Sequence, residues 1–170
     1  MSDKTAVFVD YSGVYELYGE RYNEMGEWPS EWGARSMIEG KYLPNSDMYA
    51  RVKKWRNSGA FVTILTGGND VSSSYWWPDL AQPENVFDAV MYGHKQYRDC
   101  YDSIDRRLAY MWPDEKVRKI LIDDSMTNLV VASSAGWDAY YYDGPASPTF
   151  CRPDPCQFTK VTIQVDIELT

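Results

Sequence analysis

The sequence TAVFVDYSG, residues 5–13, opens with five apolar or β-branched residues and turns polar at Asp10. This pattern is typical of a short buried strand that ends in a loop. Similar runs alternate with segments of helical periodicity along the chain. The further predicted strands lie at 61–65, 86–91, 119–122 and 138–142, and the predicted helices at 47–58, 97–111 and 128–135. The alternation predicts an α/β fold, a three-layer sandwich with a mainly parallel central sheet and helices on both faces.

Local signals indicate where the predicted helices begin and end. Ser46 is a candidate N-cap for the first helix, and Gly59 falls where a C′ glycine belongs. Pro113 ends the second helix because proline cannot continue a helical hydrogen-bond ladder.

The length of the chain predicts a single domain over residues 1–170. The sequence is 44% hydrophobic and 15% aromatic, which is enough for a real core. Residues 14–45 are predicted to be a small insertion or cap-like loop, and residues 145–170 a C-terminal extension. Alternating apolar and polar residues over 161–169 predict an edge strand in that extension, which is able to pair with a second copy in a homodimer.

Composition excludes several classes of function. The net charge of −8 argues against binding to a nucleic-acid polymer. The single histidine, His94, excludes a zinc site built on two or more imidazoles. The apolar run at 6–9 is too short for a signal peptide or membrane span, so we expect no membrane partner and a cytoplasmic protein. Three cysteines are too few for a disulfide scaffold, although Cys151 and Cys156 are able to pair or to help bind a metal.

Polar residues follow four of the predicted strands. The four segments are Asp10-Tyr11-Ser12-Gly13, Thr66-Gly67-Gly68, Gly93-His94-Lys95 and Asp123-Asp124-Ser125. Ligands of such sheets bind at the carboxyl ends of the strands, so we expect these side chains to surround one crevice. Taken singly, each segment is an ordinary turn or helix cap, and only their joint placement indicates a site.

The chemistry of this predicted crevice favours a phosphorylated substrate. Clustered carboxylates repel one another, and a hard divalent cation such as magnesium relieves the repulsion and holds a phosphate. Asp10 is a candidate nucleophile and Lys95 a candidate for neutralising its charge. Thr66, with the backbone amides that follow it, is a candidate for holding a phosphate oxygen.

Four motifs at these positions resemble those of the haloacid dehalogenase (HAD) superfamily of hydrolases. They lie at 7–14, 63–68, 93–96 and 120–136, and the resemblance covers about residues 5–144. It implies a Rossmann-like three-layer fold with a minimal cap, and Mg²⁺ as the cofactor. The implied metal ligands are Asp10, the backbone carbonyl of Ser12 and Asp124, with Asp123 and Asn128 in support. The implied catalytic positions are Asp10, Ser12, Thr66 and Lys95, and the implied substrate-binding residues are Thr66, Gly67 and Lys95.

Ser12 departs from the pattern of this superfamily, whose phosphatases carry a second aspartate there as general acid and base. A hydroxyl group cannot do that work near neutrality, and such catalysis is typically worth ~10²–10⁴-fold. The sequence therefore predicts a magnesium-dependent phosphatase or nucleotidase of reduced activity. The alternative is a catalytically inactive member that binds a ligand or a protein partner. His94 is a substitute base only if it reaches the site, and a flavodoxin-like domain is disfavoured because the first loop lacks a Ser/Thr-rich cradle.

Several aromatic residues in the insertion have two interpretations. They are Tyr15, Tyr18, Tyr22, Trp28 and Trp32. They are able to stack on a base or sugar of the substrate, or else to pack over the open end of the sheet.

Overall fold

A computed structural model describes residues 3–18, 27–33, 42–67, 71–142, 151–153 and 158–160. Its strands are β1 (Lys4–Val9), β2 (Glu16–Tyr18), β3 (Tyr42–Pro44), β4 (Phe61–Thr66), β5 (Ala89–Tyr92), β6 (Val117–Asp123), β7 (Asp138–Tyr141), β8 (Cys151–Pro153) and β9 (Phe158–Lys160). Its α-helices are α1 (Ser46–Asn57), α2 (Pro83–Val86), α3 (Arg98–Met111) and α4 (Met126–Ser134). Single 3-10 turns lie at Ser30–Trp32, Ser72–Trp76 and Asp79–Ala81.

Five strands form a parallel sheet in the order β5-β4-β1-β6-β7. The central strand is β1, in which Val9 is paired with Ile64 of β4 on one side and Ile122 of β6 on the other. The predicted α/β class and the mainly parallel sheet are confirmed. The central position of β1 brings Asp10 to the middle of the edge where the strands end.

The apolar residues of β1 alternate between two cores, one on each face of the sheet. Val7 and Val9 pack in the core that contains Met48, Val52 and Trp55 of α1. Ala6 and Phe8 pack in the opposite core, whose helical members are Tyr101, Ile104 and Leu108 of α3 and Leu129 and Ala132 of α4. Helices therefore cover both faces, and the predicted three-layer sandwich is confirmed.

The strand predicted at 86–91 begins later than its sequence pattern indicates. Pro83 occupies the first turn of the short helix α2, where its missing N–H costs nothing, and the strand starts only at Ala89. Between them Asp88 accepts a hydrogen bond from the backbone N–H of Val62 at 2.8 Å, which links the incoming segment to β4. An apolar run alone does not distinguish a buried helical turn from a strand.

The N-cap of α1 is Asn45 rather than Ser46, which is the first helical residue. The side-chain oxygen of Asn45 accepts hydrogen bonds from the N–H groups of Asp47 at 3.1 Å and Met48 at 3.3 Å. Asn45 also donates to the carbonyl of Val14 at 2.7 Å, so the cap ties the helix to the loop after β1.

The two segments outside the alternating pattern both contain short strands. In the insertion at 14–45, β2 and β3 form an antiparallel pair. In the extension, β8 and β9 pair in the same way, whereas the proline content of residues 145–155 predicts a loop there, a prediction that is wrong at Cys151–Pro153. The predicted edge strand at 161–169 lies outside the described residues, and the single-domain assignment stays a prediction. Among the described residues, no helix combines the length and the apolar character needed to cross a membrane.

Candidate active site

Three carboxylates meet where β1 and β6 end side by side. Asp10 directly follows β1, Asp123 is the last residue of β6, and Asp124 follows it. One carboxylate oxygen from each of the three lies within 4.8 Å of the others. Residues more than a hundred positions apart are adjacent here because β1 and β6 are parallel neighbours in register. The predicted meeting of Asp10 with Asp124 is therefore observed.

Lys95 supplies the positive charge of this cluster. It comes from the loop after β5, its side chain is only 4% exposed, and its Nζ contacts Asp10 and lies 2.9 Å from Asp123 Oδ2. Nζ also donates to the backbone carbonyl of Leu65 at 2.9 Å, so all three partners of the ammonium come from strand ends. The backbone carbonyl of Lys95 accepts a 2.8 Å hydrogen bond from the hydroxyl of buried Tyr101. Lys95 is thus held at both its backbone and its side chain.

Asp123 is fully buried, and its oxygen atoms are already engaged by the protein. Oδ1 accepts from the N–H of Ser125 at 2.9 Å, and Oδ2 accepts from the amide of Asn128 at 3.1 Å and from Lys95. Asn128 is itself placed by the N-cap of α4, since its N–H donates to Ser125 Oγ at 3.4 Å. These bonds connect Asp123 and Asn128 to Lys95 and to the start of α4, and so hold the side chains of the site in place.

Asp124 is the exposed carboxylate of the three, and it lies directly against the loop after β1. A Cβ atom added at Gly13 would overlap Oδ2 of Asp124. Gly13 also has a φ of +83°, a region that favours glycine. The loop after β1 therefore approaches Asp124 as closely as only a glycine permits.

The electrostatics of the cluster are unbalanced, with three carboxylates against one ammonium. Burial raises the pKa of Asp10 to about 8, and repulsion by Asp123 adds to this effect, while Lys95 opposes it. Burial alone would lower the pKa of Lys95, but attraction to Asp10 and Asp123 outweighs it and the pKa is raised. Lys95 therefore stays charged, and the site has negative charge that its own residues do not neutralise.

The remaining predicted residues lie around this cluster. Ser12 is exposed at the rim, with its hydroxyl 3.3 Å from the hydroxyl of Tyr18. Thr66 is the buried last residue of β4, next to β1, and its carbonyl accepts from the N–H of Gly93 at 2.9 Å. Gly67 follows it, facing the Gly93 carbonyl. The structure therefore brings Asp10, Lys95, Asp123, Asp124 and Asn128 into one cluster, with Thr66 and Gly67 at the end of the adjacent strand.

The sequence does not predict two of the contacts at this site, the hydroxyl contacts of Tyr101 and of Tyr18. Tyr101 lies in the helix predicted at 97–111, where tyrosine and aliphatic residues recur at helical spacing as an apolar stripe, yet its hydroxyl lies within hydrogen-bond distance of the carbonyls of Lys95 and Asn128. A phenol within such a stripe is the signal that was available, because a buried hydroxyl needs a partner. The second is Tyr18, whose contact with Ser12 depends on strand pairing that has no local signature.

The aromatic residues of the insertion divide by burial. Tyr15 and Trp32 are buried, and both belong to the core that also contains α1. Trp28 packs against that core, whereas Tyr18 is 47% exposed. Tyr22 lies outside the described residues. Packing is therefore the role of most members of this group, and Tyr18 is the described member with a free surface.

No protein-family model matches the sequence, and no curated protein matches it. Solved structures do resemble this one. An archaeal β-phosphoglucomutase from Pyrococcus sp. superposes with a TM-score of 0.60 at 9% identity, covering 85% of this chain and 89% of that chain. A HAD-family enzyme from Bacteroides thetaiotaomicron, solved as a magnesium complex, gives a TM-score of 0.55 at 13% identity, covering 84% and 95%. An aspartate-to-alanine variant of that enzyme, with magnesium and inorganic phosphate, gives 0.54 at 15% identity over the same shares. At these identities the likeness shows the fold, and the chain has the HAD-like fold that its motifs predicted.

Proposed function

We propose that this protein is a magnesium-dependent hydrolase of small phosphorylated molecules, with Asp10 as the nucleophile. The observation that carries the proposal is the meeting of Asp10, Asp123 and Asp124 around the buried ammonium of Lys95. The HAD-family neighbour that was solved with magnesium and inorganic phosphate supports the same chemistry. We apply the same chemistry to this chain because Asp10, Asp123 and Asp124 bring one carboxylate oxygen each within 4.8 Å of the others.

The residues present fit a magnesium ion. All three side chains offer oxygen, the donor that hard divalent cations prefer, and their negative charge exceeds the single positive charge of Lys95. Burial, with repulsion by Asp123, raises the pKa of Asp10, and a bound divalent cation would lower that pKa again. We expect Asp10, Asp124 and the backbone carbonyl of Ser12 to hold the ion, with Asp123 and Asn128 in support. When bound, the ion supplies Lewis-acid stabilisation of negative charge on the phosphoryl oxygens.

In the proposed reaction, a carboxylate oxygen of Asp10 attacks the phosphorus atom while the bond from phosphorus to the leaving oxygen breaks. This gives an aspartyl phosphate, and the leaving group departs as its anion, an alkoxide, phenolate or carboxylate. Water then attacks phosphorus, releasing inorganic phosphate and restoring the carboxylate. Lys95, which contacts Asp10, offsets the charge that builds up in both steps. We assign the phosphate oxygens to the Thr66 hydroxyl and the amide of Gly67 at the end of β4.

Ser12 limits the proposed reaction at the departure of the leaving group. A serine hydroxyl does not protonate a departing alkoxide near neutrality. Leaving groups that depart as stable anions need no such proton. We therefore expect acyl and aryl phosphates to be much better substrates than alkyl phosphates.

The experiment that tests the proposal measures hydrolysis of acetyl phosphate, 4-nitrophenyl phosphate and ethyl phosphate with Mg²⁺, in wild type and in Ser12→Asp. Wild type should hydrolyse the first two compounds, and removal of Mg²⁺ with a chelator should stop it. Ser12→Asp should raise kcat for ethyl phosphate most, by up to about 10²–10⁴-fold. A wild type inactive on all three compounds would count against the proposal.

A second candidate function is ligand binding without turnover, and Ser12 is the observation that favours it. Binding of Mg²⁺ and inorganic phosphate, measured by calorimetry, is expected under both functions. They differ in turnover: a binding protein gives none in wild type, and it gains activity only when Ser12→Asp supplies the missing carboxyl group.

Gly13→Ala should weaken Mg²⁺ binding by about 10- to 100-fold, because the new methyl group displaces Asp124 from its position beside the loop. Calorimetry with Mg²⁺ measures the loss. Gly136→Ala is the matched control, since Gly136 has a similar φ of +85° but open space around its Cβ position. Both variants should be destabilised by about 1–2 kcal/mol through backbone strain. Equal Mg²⁺ affinities in the two variants would show that Asp124 is not a ligand.

A further inference from the structure

Two exposed tyrosines face each other across the strand pair in the insertion. Tyr18 of β2 is directly opposite Tyr42 of β3 in the antiparallel register, with ring centroids 5.3 Å apart. They remain 47% and 40% exposed, while the preceding pair, Leu17 and Leu43, is buried. The two tyrosines therefore expose their rings at one end of the strand pair, next to the buried leucine pair. We call Tyr18 and Tyr42 the tyrosine pair.

The tyrosine pair lies beside the proposed catalytic cluster. The hydroxyl of Tyr18 is 3.3 Å from the hydroxyl of Ser12, which is two residues from Asp10. Gly13, the next residue, touches Asp124 at the other side of the same loop. Tyr18 therefore contacts the same short loop after β1 that approaches Asp124.

The packing beneath the pair fixes its position relative to Asp10. The indole N–H of buried Trp77 donates to the backbone carbonyl of Tyr42 at 3.1 Å. The same indole stacks on Tyr11, the residue after Asp10, with ring centroids 5.9 Å apart. Trp77 therefore joins β3 to the loop that carries the nucleophile, and a surface held in this way loses little entropy when a ligand stacks on it.

We propose that the tyrosine pair is a stacking platform for the leaving group, and that the substrates are phosphorylated compounds whose leaving group carries a planar aromatic ring. This inference rests on the proposed function and names its substrate class. None of the six residues of β2 and β3 is basic, so the pair offers ring faces and no cation for a second phosphate.

The test compares two acyl phosphates that differ in the ring alone. Benzoyl phosphate and cyclohexanecarbonyl phosphate are similar in size, and both release a carboxylate, so neither depends on the proton that Ser12 fails to supply. With Mg²⁺, kcat/KM for the benzoyl compound should exceed that for the saturated one by about 3- to 10-fold, the usual strength of aromatic contacts. Acetyl phosphate, which has no ring, reports the hydrolase activity by itself.

Substitutions of Tyr42 test whether the tyrosine pair causes the preference for benzoyl over cyclohexanecarbonyl phosphate. Tyr42→Leu should reduce the benzoyl-to-cyclohexanecarbonyl ratio to about one, whereas Tyr42→Phe, which keeps the ring, should retain it. Tyr110→Leu is the matched control, since Tyr110 is 88% exposed on α3 and should leave the ratio unchanged. If Tyr42→Leu fails to fold, as judged by circular dichroism, Tyr18→Leu serves in its place with the same expected ratio.

The outcomes separate this inference from the function on which it rests. Hydrolysis of acetyl phosphate with equal kcat/KM for the two ring compounds would keep the hydrolase and overturn the platform, as would a ratio unaffected in the leucine variant. If the wild type hydrolyses nothing, the hydrolase proposal fails. Calorimetry with phenylphosphonate and cyclohexylphosphonate then decides the platform: a preference lost in Tyr42→Leu supports it, and equal or no binding overturns it.

Discussion

Asp10→Asn should abolish phosphate hydrolysis and, at the same time, make the magnesium-free protein more stable. The loss of activity should be about 10³-fold or more, because the amide is not a nucleophile toward phosphorus. The gain in stability follows from the raised pKa of Asp10, which burial and Asp123 hold at about 8. Even with Lys95 in contact, burial makes the ionised carboxylate unfavourable when no metal ion is bound. The asparagine amide has the same shape without the charge.

The size of this stability change depends on pH. The pKa of Asp10 is raised in the folded protein from 3.8 to about 8, so wild type loses stability as pH rises through that interval. The advantage of Asp10→Asn should therefore be absent near pH 4 and complete above pH 8. At pH 7 we expect about 1–4 kcal/mol in urea unfolding without Mg²⁺.

Asp102→Asn is the control for the Asp10 variant, since Asp102 forms an exposed ion pair with Arg98 on α3. It should keep wild-type activity and gain no stability. Mg²⁺ should stabilise wild type and Asp102→Asn but have little effect on Asp10→Asn. An Asp10→Asn protein that hydrolyses acetyl phosphate at the wild-type rate would remove the nucleophile from the proposal.

Lys95→Met should be the most destabilising single change at this site. The ammonium is 4% exposed and lies between Asp10 and fully buried Asp123, so its removal leaves buried carboxylates without their cation. Breaking a buried ion pair in this way typically costs about 3–5 kcal/mol. Urea unfolding at pH 7 measures the loss, and activity with Mg²⁺ should fall along with it.

The stability of Lys95→Met measured with and without Mg²⁺ gives a second test of the role of the ammonium. Saturating Mg²⁺ should recover part of the lost stability, because the cation replaces positive charge beside Asp10. Lys53→Met is the control, since Lys53 pairs with Glu31 at the surface, where solvent screens the interaction. It should unfold close to wild type with or without Mg²⁺. If Lys95→Met lost no more stability than this control, the ammonium would not be balancing the carboxylates.

The sequence was sufficient for the layered fold and for the residues that end its strands. Four buried runs with helices between them have few topologies open to them, and the carboxyl ends of parallel strands share one edge. That is why Asp10 and Asp124 could be expected to meet. The start of β5 could not be predicted, because Val86 and Phe87 are as apolar as the strand that follows them but belong to the turn begun by Pro83.

The surroundings of the site were harder to predict than its carboxylates. Tyr101 fits a helical apolar stripe, and nothing in that spacing shows that its hydroxyl reaches Lys95 and Asn128. The contact of Tyr18 with Ser12 depends on how β2 pairs with β3, two strands that lie near opposite ends of the insertion at 14–45. Three-residue strands are too short for a period-two pattern to specify their register, and β3 is further held by the hydrogen bond from Trp77 to the Tyr42 carbonyl.

The central position of β1 has a consequence for a chain that is still being synthesised. β1 precedes both of its neighbours along the chain, and the second of them, β6, begins only at Val117. Until that point a nascent chain carries Asp10 but neither Asp123 nor Asp124, and one edge of an apolar strand has no partner. A magnesium ion held by these carboxylates would therefore stabilise only chains that already extend past Asp124.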